Sequence, residues 1–363
     1  MPQLFDGMSK KRRAQTIAVD LGSRKTKAVL MERHGERYVL TRYALLDAPV
    51  QDKKLSPEQL GGHFRQVAEA LGNSTKSLSA TLNLADAVVR QVEMPPIPVD
   101  EMRNILKMNH KGYFQQDLPD NSFDCYVIPP RVEPPPAPVA GQVPAPAAPM
   151  GGLKFKVLAA AAKQQLVAEF IQAATVAGLS PDWLVPALVC PVNAFEMAAP
   201  EVFAKETVAL VDIGFKYTSV CVVDRGELLT NRVINIGGYQ ITRALAEAKG
   251  ITYAEADGIK IGMAAEVEAE LQTQVGPLGR EIRASLDFFE HQYERTVSQI
   301  YLSGGTTRSE VITGMLHSEI VVDCQFWNPT GFLQLALPGQ QAMEIEQAAP
   351  QLTVAIGAAL AAL

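Results

Sequence analysis

The stretch IAVDLGSRKTKAVL, beginning at Ile17, returns as ALVDIGFKYTSVCV, beginning at Ala209. Residues 17–33 and 209–225 align without a gap: Val19 with Val211, Asp20 with Asp212, Gly22 with Gly214, Thr26 with Thr218, Arg33 with Arg225. Each copy reads as strand, tight turn, strand. Each then reaches a second turn, at Arg33-His34-Gly35 and Asp224-Arg225-Gly226, and a third strand. A single long-range duplication is not a short-period solenoid. It requires two similar lobes, each opening with a β-meander, and 363 residues are enough to give both a core.

Between and after the copies, strands and helices alternate, which defines an α/β protein. Residues 77–84, 87–93, 123–128, 155–162, 299–302 and 320–322 read as strands. Val99 to Phe114 has helical spacing with Asp100 as its N-cap. Gln164–Ala177 reads as a helix stopped by Gly178, and Tyr239–Lys249 as one closed by Gly250. Residues 280–296 form a charged amphipathic helix and Thr353–Ala362 a final one. Residues 129–152 hold nine prolines and only two charges. That density prevents helix or ladder and predicts an extended surface loop.

The turns carry the chemistry. Backbone N–H groups of a tight turn converge on an anion, Gly lets the backbone come close, and Ser, Thr and Lys add donors. The first turn offers Gly22, Ser23, Thr26 and Lys27; the second offers Gly214, Lys216, Tyr217 and Thr218. Asp20 and Asp212 begin the two turns. Facing one another across a cleft, they would hold Mg2+ mostly through water, against bridging phosphates. Gly237-Gly238 before a helix and Ser303-Gly304-Gly305 after a strand add two more backbone-rich ends. One D-x-G turn alone is an ordinary hairpin; the pair followed by two Gly-Gly turns in order is far more specific. There is neither a GxxxxGK[ST] loop nor a GxGxxG after a strand.

Composition excludes other classes. A net charge of −6 argues against a broad nucleic-acid surface, and Lys10-Lys11-Arg12-Arg13 reads as a solvated tail. The four cysteines, Cys125, Cys190, Cys221 and Cys324, form no CxxC and pair with no His at ligand spacing. They read as core residues of a reducing compartment. No secretory leader or membrane-length apolar run is seen, so a cytoplasmic protein is expected. The Asn73-Ser74-Thr75 sequon then carries no weight.

These residues resemble the actin-like ATPase superfamily and, within it, the PilM family of type IV pilus assembly, related to FtsA. The resemblance runs through residues 18–29, Glu93-Met94-Pro95, Ala177-Gly178-Leu179, residues 210–218 and Asn235 to Thr242. It continues through residues 281–289 (EIRASLDFF), residues 300–305 (IYLSGG), Asn328-Pro329 and Val354 to Gly357. It implies two duplicated ribonuclease H-like lobes, with a small α+β subdomain inserted in the first. Residues 15–77, 164–206 and 345–363 would form the first lobe, 78–163 the insert and 207–344 the second lobe. It implies ATP and Mg2+ between the lobes. Gly22, Ser23, Thr26 and Lys27 would face the phosphates from one side, and Asp212, Gly214 and Thr218 from the other. Gly237 and Gly238 would approach the ribose and phosphates, Glu281 and Ser285 the nucleoside, and Gly304 and Gly305 the adenine. Asp20 and Asp212 would hold the metal. Phe215-Lys216-Tyr217 stands where relatives carry small residues.

The resemblance further implies an adaptor. A groove on the first lobe beside the insert would take the N-terminal cytoplasmic peptide of a PilN-like inner-membrane protein; the insert carries the apolar residues Met94, Ile97, Ile105, Met108 and Phe114, each of which reads first as core packing. Contacts with other platform proteins and a homo-oligomer are compatible with this expectation. A small-molecule kinase, a brisk ATPase and an FtsA-like filament-former remain as alternatives. No substrate-binding constellation stands out between residues 240 and 290, and slow hydrolysis fits every reading.

Overall fold

The computed structural model describes residues 13–49, 55–72, 74–129 and 154–363. Lys10 to Arg12, Asn73 and most of the proline-rich segment lie outside the described residues.

The first duplicated segment folds as expected. β1 (Gln15–Leu21), β2 (Lys25–His34) and β3 (Arg37–Asp47) form an antiparallel meander. α1 (Pro57–Ala70) follows; Ser56 and Gln59 close its N-terminus as a capping box, and Leu60, Phe64 and Val67 are its buried face. β4 (Ser77–Leu82) pairs parallel to β1. The expected insert boundary at 78 is therefore wrong: residues 77–82 belong to the first lobe's sheet.

The insert proper comprises β5 (Ala87–Met94), α2 (Val99–Met108), α3 (His110–Phe114), β6 (Asn121–Val127) and β7 (Phe155–Lys163), with strand order β5-β7-β6. Met94, Met102, Leu106, Phe114 and Val157 make its core. The helix expected over Val99–Phe114 breaks at Asn109, whose backbone (φ −124°, ψ 38°) is not helical. Pro98 rather than Asp100 is the N-cap; Asp100 sits in the first turn and pairs with Arg103.

The chain returns through α4 (Gln164–Val176) and β8 (Ser180–Pro186), which joins β4 at the sheet edge. α5 (Cys190–Ala198) and α6 (Pro200–Lys205) lead into the second meander, β9 (Thr207–Ile213), β10 (Thr218–Asp224) and β11 (Glu227–Ile234). α7 (Gly238–Lys249), α8 (Tyr253–Gly262) and α9 (Glu268–Tyr293) follow. α9 begins well before the expected residue 280, because Leu271, Val275 and Leu278 extend its buried stripe. β12 (Gln299–Ser303), α10 (Glu310–Ile320) and β13 (Cys324–Phe326) complete the sheet β11-β10-β9-β12-β13. The strand expected at residues 320–322 is displaced. α10 runs to Ile320 and ends on Val321 in the left-handed conformation (φ 58°), so pairing starts at Cys324.

β14 (Gln334–Leu335) then pairs with β3, giving the first sheet the order β14-β3-β2-β1-β4-β8. The first lobe thus regains the chain before residue 345, and Trp327, Phe332, Leu333 and Leu337 pack into its core. α11 (Gly339–Ala362) starts earlier than the expected Thr353 and continues through Pro350.

α5 and α11 lie between the lobes. Ile356, Ala355 and Ala359 of α11 and Phe195 of α5 share one core with Ile17 of β1 and with Val208 and Leu210 of β9. The two helices cross where Gly357 meets the backbone of Cys190; a Cβ at Gly357 would overlap the Cys190 carbonyl. Backbone cannot rotate aside as a side chain can, so this crossing demands glycine. We expect Gly357→Val to cost about 3 kcal/mol or more in urea unfolding. Gly314→Ala, where an added methyl meets nothing within 4 Å, should instead stabilise by up to about 1 kcal/mol.

Candidate functional site

The two sister turns meet at the end of this helical layer. In the first, register places Asp20 opposite Lys27. Lys27 Nζ lies 2.7 Å from Asp20 Oδ2, and Thr81 Oγ1 on β4 donates to Asp20 Oδ1 at 3.4 Å. Gly22 makes room: a Cβ there would strike the Lys27 ammonium and the Lys25 carbonyl. Ser23 is exposed at the tip.

In the second turn, alternation along β9 sends Val211 and Ile213 into the second lobe's own core and Val208 and Leu210 toward the first lobe. Asp212 shares the inward face. It lies opposite Ser303 of β12 and accepts from Ser303 Oγ at 2.8 Å.

The electrostatics join the two turns. Burial disfavours the Lys27 charge, yet Asp20 and, beyond it, Asp212 outweigh that cost and raise its pKa. Burial pushes the Asp212 carboxyl up to about 6, with Ser303 and Lys27 pulling it down and the like charge of Asp20 pushing it up. Lys27 is therefore the cation that lets two carboxylates approach one another. Cys190 feels both; burial and these two carboxylates hold its thiol well above the usual range and therefore neutral.

A glycine-lined cradle surrounds the second turn. Gly304 is left-handed (φ +99°), and a Cβ on it would stand 2.5 Å from the Ile213 carbonyl. Gly237 packs on the carbonyls of Gly214 and Phe215, Gly238 on Thr306, and Gly305 beside Gln351. The segments at 237–238 and 304–306 thus converge on one turn, with Gln351 of α11 beside Gly305. Many of their donors are already engaged. Gly238 N–H donates to Gly214 O, Tyr239 N–H to Phe215 O and Gly237 N–H to Gln240 Oε1. Gly304 N–H donates to Pro350 O of α11.

Other expected site residues point elsewhere. The side chain of Thr26 is buried, and its hydroxyl bonds His63 of α1 at 2.7 Å, so it does not face the cleft. Thr218 donates to the Ile236 carbonyl at 2.7 Å. Glu281 and Ser285 lie on α9 against Arg232 of β11. Arg232 is paired with Val220, whose side chain belongs to the α9-side core, so the sheet separates this cluster from Asp212. Alternation in the strands turns Thr26 and Thr218 away, and α9 carries Glu281 and Ser285 on the opposite side of the sheet from Asp212. Missed by sequence reasoning were Thr81, Cys190 and the aromatic group Phe215, Tyr239 and Tyr253. The bulk of Phe215 in a turn was the one available signal, and its ring centroid is 5.4 Å from that of Tyr239.

The sequence profile of the type IV pilus assembly protein PilM matches residues 144–363. The chain belongs to the PilM family. A PilM–PilN type IV pilus biogenesis complex is similar in structure, with TM-score 0.78 and 20% identity over 97% of this chain and 99% of that one. The ethanolamine utilization protein EutJ from Carboxydothermus hydrogenoformans is similar at TM-score 0.54 and 14% identity, over 98% and 91%. The fold of this PilM family member is accordingly that of the actin-like ATPases, as the duplicated turns led us to expect.

The raised Asp212 pKa sets a pH dependence. Unfolded, Asp titrates near ~3.9. The folded chain binds the proton more tightly, so stability falls as pH rises between about 4 and 6 and stays low above. In chelator-containing buffer, Asp212→Asn should be more stable than wild type by up to about 2 kcal/mol at neutral pH. Urea titrations should show the gap narrowing toward pH 4; a gap independent of pH would contradict this assignment.

Proposed function

We propose that this PilM family chain is a nucleotide-binding scaffold that docks the N-terminal cytoplasmic peptide of a PilN-like inner-membrane protein. The observation that carries the nucleotide part is the meeting of Asp20, Lys27 and Asp212 from sister turns at one cleft. ATP would place its phosphates against the turn of Gly22 and Lys27 on one side and the turn of Gly214 on the other. Gly304 and Gly305 would back the base. Mg2+ commonly uses one or two carboxylates and completes its shell with water and phosphate oxygens, so Asp20 and Asp212 fit it. Among the described residues no cluster of three or more metal-ligating side chains forms. Lys27 would then exchange Asp20 for a phosphate.

Peptide docking follows from the likeness to a PilM–PilN complex; Met94 and Phe114 are fully buried in the insert's core and offer it no surface, so the candidate contact is the junction of the insert with both lobes. Leu84, Val88, Leu188 and the strand Asn231–Val233 line a cavity of 140 Å³ there. Among the described residues no helix is long and apolar enough to cross a membrane. In this reading, placement at the inner membrane would come through the partner.

Calorimetric titration tests the cleft: Lys27→Met and Asp212→Asn should each weaken Mg-ATP binding at least about tenfold while the far-ultraviolet spectrum is kept. Unchanged affinity in both variants would remove the site. Turnover should stay below about one per second. Fluorescence anisotropy with a labelled N-terminal peptide from the membrane partner tests the docking; Leu84→Glu should abolish a signal that wild type gives.

A further inference from the structure

Arg24 belongs to the first lobe's turn, where its carbonyl accepts from Ala48 N–H, yet its guanidinium pairs with a carboxylate and two rings of the second lobe. Its guanidinium lies 2.8 Å from Asp257 Oδ2 on α8. It also stands 5.6 Å from the centre of the Phe215 ring and 5.8 Å from that of Tyr253. These rings are fixed in turn: Tyr239 and Tyr253 stack at 5.7 Å, and Phe215 is held edge-on to Tyr253. Behind them, Asp257 is anchored on its other oxygen. Lys260 Nζ, buried to 6% exposure, lies 2.8 Å from Asp257 Oδ1 and 2.5 Å from Thr242 Oγ1.

We propose that Arg24 is a latch, which draws the first turn onto the second lobe and holds the cleft closed. An ordinary surface ion pair between two mobile side chains contributes little. This one differs because only Arg24 is free to move. The Asp257 side chain is 11% exposed and pre-oriented by Lys260, and the cation also gains two aromatic faces. Lys260 serves the second lobe alone and keeps the Asp257 carboxylate ionised, against burial, with Arg24 adding to the effect. The latch is therefore a docking cup built in one lobe for a single side chain of the other. Phe215, the bulky residue in the second turn, is the wall of that cup.

Release of Arg24 lets the lobes swing about the α5–α11 crossing. Nucleotide then reaches the turns only from the released state, a consequence that rests on the ATP reading above; the latch itself does not.

Arg24→Gln removes the charge and the flat cation but leaves the Asp257–Lys260 pair intact, so the fold is spared. Spin labels at Glu69→Cys on α1 and Glu247→Cys on α7, both exposed, report lobe separation when the half-buried Cys324 is replaced by Ser. Without nucleotide, double electron–electron resonance should give one narrow distance with Arg24 present. Arg24→Gln should broaden that distance or lengthen it by more than about 2 Å. Arg24→Lys, which keeps charge but not the planar fork, should fall between. Distances that superimpose in all three proteins overturn the latch, whatever the ATP affinity. Stopped-flow mixing with a fluorescent ATP analogue supplies the second reading. If the open form is the minor state, Arg24→Gln should associate about tenfold faster. Altered distances in a protein that binds no nucleotide would uphold the latch and remove the ATP reading instead.

Discussion

The crossing of α5 and α11 at Gly357 is the contact on which the molecule turns. Each helix covers the inner face of one sheet, and their closest approach sets how near those faces come. A side chain at Gly357 would force the helices apart against the Cys190 carbonyl. With glycine there, the inner faces of β1 and β9 look at each other through one helical layer. Asp20 and Asp212, at the ends of those strands, come to the same place. The cleft depends on this close approach, because neither turn has a complete constellation alone.

Bringing two carboxylates together out of water is unfavourable unless a cation is supplied. Lys27 supplies it from within the first turn, seated on Asp20 and felt by Asp212. The strain remains visible in Asp212, whose buried carboxyl titrates near 6. On the proposed reading, a metal ion arriving with the nucleotide would offset the repulsion between the two carboxylates. The same imbalance that lowers stability at neutral pH would raise affinity there.

The two turns, so alike in sequence, have diverged in use. The first is outward-reaching: Lys27 and Arg24 both extend from it, one along the cleft and one across it. The second is tied down, its carbonyls accepting from the start of α7 and its Phe215 set among tyrosines. One lobe thus offers two long cations, and the other a cradle of backbone and rings. A duplicated motif has become a pair of complementary halves.

How much of this was legible depended on range. The hairpins and their Asp-x-Gly turns are local matters, decided by residue spacing and backbone freedom, and residues 17–30 and 209–222 already contained them; the α/β class followed from the alternation of strands and helices along the rest of the chain. Resemblance carried the reading further, to the two lobes and their family. Three things were beyond it. The strand Gln334–Leu335 lies in the first sheet, because β3 had an unpaired edge. Thr26, Thr218, Glu281 and Ser285 turn away from Asp212, because pleat and packing choose a face that a motif does not. Arg24 finds Asp257, 233 positions on by residue number, because two cores dock through α5 and α11. Sequence alone determined which short segments could bend tightly and what donors they would carry. Tertiary structure decided which of those donors face one another, since that choice is made by inter-lobe packing, where contacts bear no relation to distance along the chain.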